Sequence, residues 1–140
     1  MSTDAHPFLV RLEKATNDHD LDALVDCFAS GYRNETPAHP DRSFQGTEQV
    51  RTNWRQIFEF VPDVRSRVLG QAVDGSDVWS EWEMSGTRRD GTSHLMRGVI
   101  VFGLDGERAV SARFYLEPVE QDGRTVDDAV RTQVRAGGAA

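Results

Sequence analysis

The chain has 140 residues, 38% of them hydrophobic, and a formal net charge of −7. That length suits one domain whose core folds without metal or disulfide, and a single cysteine excludes an intrachain disulfide. The acidic balance leaves no broad electrostatic footprint for nucleic acid or anionic lipid, and no apolar run has the length of a membrane span.

The opening residues MSTDAHPF lack the basic and apolar regions of an export signal, so a cytoplasmic location is expected. Pro7 suits the first turn of a helix, and Phe8, Leu9, Leu12 and Ala15 follow at helical spacing. Asn17 to Asp20 breaks that pattern. Asp20 is positioned to cap a second helix with Leu21, Leu24, Val25 and Phe28 on its inner face, ended by Gly31. Cys27 reads as a small core hydrophobe; no basic neighbour would activate a thiol. A short strand over 32–36 and a proline-containing loop over 37–42 come next. Thr47 is a candidate cap for a third helix carrying Val50, Trp54, Ile57, Phe58 and Val61, and Pro62 stops it.

The second half predicts four antiparallel strands, over 64–73, 78–86, 94–104 and 108–118. Asp74-Gly75, Asp90-Gly91 and Asp105-Gly106 lie between them, and Asp-Gly is a strong hairpin signal. The expected fold is α+β: one domain over 1–140, its core at about 6–118, with three N-terminal helices covering one face of a curved antiparallel sheet. A short amphipathic helix is expected over 125–135, and Gly137 to Ala140 are expected to fray.

Strand parity sorts the side chains. Neighbours on a strand point to opposite faces, so VWSEWEM separates Val78, Ser80, Trp82 and Met84 from Trp79, Glu81 and Glu83. Burying two unpaired carboxylates under helices costs several kcal/mol each, on the order of magnitude. Glu81, Glu83, Arg97, Arg113 and Glu117 are therefore expected to face outward, as a ladder of opposite charges. The inner face then carries Trp82, Met84, Met96, Ile100, Phe102, Phe114 and Leu116, with Val110 and Ala112 on the same side. Trp79, Val99, Val101 and Tyr115 form an apolar stripe on the outer face, a candidate homodimer interface.

His94 opens an inward-facing strand and titrates near neutrality when unperturbed. It is the best acid–base candidate, and it also fits a partly exposed hairpin-rim residue. Tyr32 and Asn34 could orient a ligand or water, or serve as ordinary strand residues. Trp54, Phe58, Ser80, Trp82, Met84, Met96 and Phe114 are the expected pocket lining, grading into plain core. His39 lies in a loop that could form a pocket lip. His6 and His19 read as helix-end residues. No three or four residues converge at zinc spacing, and no nucleotide loop, nucleophile elbow or zinc-helix motif occurs. No cofactor is implied.

Three stretches carry a family resemblance: HDLDALVDCFASGYRNETPAHPDRSFQG, EWEMSGT and RGVIVFGLDGERAVSARFYLEPV. Together they resemble the SnoaL-like branch of the nuclear transport factor 2-like superfamily. The resemblance implies a cone whose sheet and helices enclose a pocket, often in dimers joined through the sheets. Members include polyketide cyclases, ketosteroid isomerases, scytalone dehydratases, limonene epoxide hydrolases and non-catalytic binding proteins. The catalytic residues of two of these branches do not carry over. The Asp-Arg-Asp set of the epoxide hydrolases would fall at Met84, Trp82 and Phe114, and the cyclases' Asp also falls at Phe114. Three functions follow as expectations: cofactor-independent isomerisation, cyclisation or dehydration of a hydrophobic cyclic or polyketide-like substrate; binding of such a molecule without catalysis; or a dimeric scaffold with a filled pocket.

Overall fold

The computed structural model describes residues 5–135. The expected fraying at Gly137 to Ala140 lies outside those residues. Helix α1 (Pro7–Asn17) starts where the His6 side chain accepts a hydrogen bond from the Phe8 amide, with Pro7 at its first position. It ends at Asp18, and His19 turns the chain at φ 55°. Helix α2 (Leu21–Asp26) is capped by Asp20, whose carboxylate accepts from the Ala23 amide.

Gly31 does not end α2. The helix stops at Asp26, and strand β1 (Phe28–Glu35) begins two residues later. The Cys27 carbonyl accepts a hydrogen bond from the Ala109 amide, and Phe28 pairs with Ala109. Sheet pairing thus claims Phe28 from the helix that its spacing suggested. Strand β2 (Phe44–Gln45) follows, then helix α3 (Thr47–Phe60). Thr47 is the first residue of α3 rather than its cap. Gly46 holds the cap position at φ 95°, a value that favours glycine.

Strands β3 (Arg65–Asp74), β4 (Asp77–Thr87), β5 (Ser93–Asp105) and β6 (Arg108–Pro118) form the expected antiparallel meander. The outermost of its hairpins, β3–β4 and β5–β6, turn through Gly75-Ser76 and Gly106-Glu107, with φ of 62° and 65° at the two glycines. Glycine at the first central position, followed by a residue at negative φ, is the pattern of a type II′ turn. Asp74 and Asp105 are thus the last strand residues rather than turn centres.

The sheet is larger than the meander and not wholly antiparallel. Its order is β2-β1-β6-β5-β4-β3, and β1 runs parallel to β6. Register shifts interrupt β1, β3 and the β5–β6 pair, and such bulges bend a sheet. The result is an α+β cone: a curved, unclosed sheet with α1, α2 and α3 over its concave face. Helix α4 (Val126–Arg135) forms as expected, with no buried residue.

Alternation on β4 holds as read. Val78, Ser80, Trp82 and Met84 are buried, while Trp79 and Glu81 are exposed. Glu83 sits on the outer side between Arg67 (2.8 Å) and Arg97 (2.9 Å), and the two guanidiniums, Arg67 foremost, hold its carboxyl below the ordinary 4.5.

Four side chains depart from the expected faces. The β5–β6 register shifts between Gly103 and Leu104, so Ala109 is buried and Val110 is exposed, the reverse of simple alternation. Val101 is only 1% exposed although it lies on the outer face. Its strand neighbours are Trp79 and Arg113, whose cation–π contact at 5.8 Å bridges that position. Val101 therefore leaves the outer apolar stripe, and Trp79, Val99 and Tyr115 stay on it. Glu117, expected to point away with the other charges, borders the interior instead.

Candidate functional site: a hollow beneath helix α3

The largest core cluster fills one end of the cone. Phe8, Leu9 and Leu12 of α1 and Leu24 of α2 pack on Val78, Phe102 and Ala112. Phe8 and Phe102 meet edge to face, ring centroids 4.9 Å apart. Beneath α3 the interior is open. A cavity of about 350 Å³ lies between α3, β1, β2 and the adjoining ends of β4, β5 and β6. That volume falls within the range of small-molecule sites.

Its wall is mainly apolar. Phe28, Phe44, Trp54, Met84, Met96 and Phe114 contribute, with Val50, Ile57 and Leu116. Deeper in, a space of about 40 Å³ shares Phe28, Trp54, Met84, Phe114 and Leu116 with the main cavity, and Trp82 closes it. Its polar floor is a hydroxyl pair. Thr16 Oγ1 donates to the Glu13 carbonyl at 2.8 Å and lies 2.5 Å from Ser66 Oγ. Thr16 has one proton, so Ser66 donates to it and presents only lone pairs to the space.

The three residues read as candidates for chemistry all reach the main cavity. Tyr32 and Asn34 point inward together from alternate positions of β1. The Tyr32 hydroxyl donates to Asn34 Oδ1 at 2.7 Å, and burial pushes the phenol far above its ordinary value. It therefore stays protonated, holding the carboxamide with its NH₂ group unbonded. His94 borders the cavity from the start of β5. Its Nε2 is shielded from solvent and has no hydrogen-bond partner. Burial first, and the Arg88 charge second, push this imidazole below 6.5, so it is neutral at neutral pH.

Of the predicted lining, Trp54, Met84, Met96 and Phe114 lie on the main wall, and Trp82 on the deeper one. Phe58 and Ser80 lie on neither. Phe58 stacks on the His19 ring at 4.6 Å, and that histidine's Nε2 is 2.9 Å from the Val64 carbonyl oxygen. Four residues of helix turn bring Phe58 level with Trp54 but swing it toward the α1–α2 junction. Ser80 is closed off in the core. It donates to the Ile100 carbonyl at 2.7 Å and accepts from Trp82 Nε1 at 2.8 Å, which satisfies the indole.

Several wall residues escape a reading of the sequence. Arg42 ends a loop with no periodicity, as the last residue of a 3-10 turn over Pro40–Arg42. Glu117 is on the outward parity of β6, near the strand's end. Its two oxygens lie 3.2 and 3.1 Å from His39 Nε2, so the loop histidine meets the cavity edge through this pair. Asn53 did carry a signal. It shares a helix face with Val50 and Ile57 at spacings of three and four, and a polar residue on an apolar stripe marks a wall. Among the described residues, no three of His, Cys, Asp and Glu converge as a metal site, and no helix is long and apolar enough to cross a membrane.

Comparison with known proteins agrees with this geometry. Solved structures share the fold across most of the chain. A protein with a ketosteroid isomerase-like fold from Catenulispora acidiphila, in complex with trimethylamine, is 14% identical, with a TM-score of 0.69 over 91% of this chain and 95% of that one. A SnoaL-like protein of unknown function from Burkholderia thailandensis is 23% identical, with a TM-score of 0.61 over 81% and 92%. A protein assigned as a SnoaL-like polyketide cyclase, from Shewanella denitrificans, is 13% identical, with a TM-score of 0.65 over 79% and 88%. No curated protein matches the chain. The model of the SnoaL-like domain matches residues 9–112, and the chain therefore belongs to the SnoaL-like family of the nuclear transport factor 2-like superfamily.

Proposed function

We propose that the chain binds a hydrophobic cyclic or polyketide-like molecule in the cavity beneath α3 and moves a proton on it without a cofactor. The product would be that of an isomerisation, cyclisation or dehydration. One observation carries the reading: a mainly apolar cavity of about 350 Å³ borders a neutral imidazole whose Nε2 has no partner. Leaving such a nitrogen unpaired costs about 1–3 kcal/mol, and a turn of the ring toward the cavity would let a ligand atom pair with it. Family membership and the assignment of the Shewanella protein point the same way.

In this mechanism His94 takes a proton from carbon beside a carbonyl. The free NH₂ of Asn34, held by the Tyr32 hydroxyl, donates to the oxygen on which charge develops. His94 works as a base, so activity needs the neutral ring. Arg88, Arg89 and Asp90 border it on one side, and Arg42 and Glu117 share its cavity. The rate should rise with pH through an apparent value below 6.5 and level off above it.

A second reading, binding without catalysis, has its own observation. Phe114 and Met84 occupy the wall, and Glu117, its one carboxylate, is engaged by His39. Deuterium exchange into a bicyclic ketone such as 2-tetralone, followed by proton NMR, separates the two. The catalytic reading expects acceleration by the protein, reduced about 10²-fold or more in His94→Ala. Binding of the ketone with no acceleration leaves the second reading.

A further inference from the structure

The cavity wall is polarised, and its polarity specifies one property of the occupant. Of the arginines, Arg42 is the one that lines the cavity, and its guanidinium has no ion pair or hydrogen bond among the described residues. Most other cations here are engaged: Arg67 and Arg97 by Glu83, Arg51 by Asp22, Arg108 by Asp26, and Arg113 by the Trp79 ring. Two wall amides, Asn34 and Asn53, also keep free N–H donors. Asn34 Oδ1 accepts from Tyr32 and Asn53 Oδ1 accepts from Gln49 at 2.7 Å, so each presents its NH₂ group. Asn34 pairs across β1–β2 with Phe44, two residues after Arg42, so one strand pairing ties two of the three donors together. Among the described residues lining the cavity, the opposing charge is Glu117, and both its oxygens are turned to His39.

We propose that the ligand is an amphipathic acid. Its apolar body would occupy the space between Trp54, Met96 and Phe114, and its carboxylate or comparable oxyanion would sit on Arg42, with the Asn53 amide as an auxiliary donor. Arg42 forms a fork of donors matched to two carboxylate oxygens. Its position at an exposed rim lets it keep contact with water while the ligand is absent, so it stands unpaired without a large desolvation penalty. The apolar wall alone would accept neutral, acidic and basic molecules of one shape equally. Arg42 is the element that discriminates among them.

This inference rests on the cavity being a ligand site, and three probes of nearly one shape keep the two claims separable: 2-naphthoate, 2-naphthamide and 2-naphthylmethylammonium. Titration calorimetry on the full chain at low salt should show naphthoate binding about tenfold tighter than the amide, with the ammonium weakest. Added salt should narrow the gap. Arg42→Gln should bring naphthoate down to the affinity of the amide and leave the amide unchanged, and Arg42→Lys should restore part of the preference. Circular dichroism and melting of each variant report folding separately. Amide binding equal to naphthoate in the wild type, or a preference that survives Arg42→Gln, overturns the acid assignment and leaves the cavity a ligand site. Failure of all three probes overturns both.

Discussion

At one end of the sheet's inner face, Val78, Ser80, Phe102 and Ala112 are at most 1% exposed. At the other end of the same strands, Met84, Met96 and Phe114 face a cavity of about 350 Å³. Along β4 the alternation is the same at both ends; the helices above them differ. Helix α1 has 11 residues and buries Phe8, Leu9, Leu12, Ala15 and Thr16. Helix α3 is longer, at 14 residues, yet buries only Val50. Trp54 and Ile57 are only partly covered and roof the cavity. A hollow interior thus comes from a helix held away from the strands, and the strand pattern itself carries no trace of it.

Substitutions at the two ends test this contrast directly. Phe102→Ala removes a ring packed on every side and should cost about 3–5 kcal/mol, measured by urea unfolding. Phe114→Ala extends an existing space and should cost less than about 2 kcal/mol. Equal losses would mean that α3 closes onto the sheet in solution.

Gly98 tests the junction between the ends, where it pairs with both Trp82 and Leu116. A Cβ there would lie 2.1 Å from the Tyr115 carbonyl oxygen and 2.7 Å from Leu116 Cα, with φ at 152°. Both contacts are backbone, so β5 and β6 must separate. Gly98→Ala should cost about 2–3 kcal/mol and lower the melting temperature. An unchanged melt would show that the two strands are not held this closely.

Ser80→Ala should cost less than Phe102→Ala. It leaves Trp82 Nε1 without an acceptor inside the packed end and should cost about 1–3 kcal/mol. Ser85→Ala, on the exposed side of the same strand, should stay within about 0.5 kcal/mol. A Ser80 variant as stable as the Ser85 variant would mean that the indole is not bonded as described.

Much of this architecture was legible before the structure. Pro7, Asp20 and Pro62 mark helix ends, and the Asp-Gly pairs mark the meander. The alternation in VWSEWEM sorted Trp82 inward and Glu81 outward, because a carboxylate under helices would lose its water. Local rules failed where a distant strand intervened. Phe28 has helical spacing but pairs with Ala109. Ala109 and Val110 exchange faces because a bulge shifts the β5–β6 register just beyond the Asp105-Gly106 turn. Phe58 shares the helical face of Trp54, yet His19 provides it with a stacking partner. The candidate site was half legible: His94 follows from parity and Tyr32 and Asn34 from their residue types in a short strand, whereas Arg42 ends a stretch that has no period.

By itself the sequence determined which side chains turn inward, since hydration free energy and the strand pleat act on each residue locally. Only the tertiary structure decided that one end of the interior is solid and the other hollow. That outcome depends on how far α3 stands from the sheet, which is set jointly by β1, β2 and the bulges. No single segment encodes that distance.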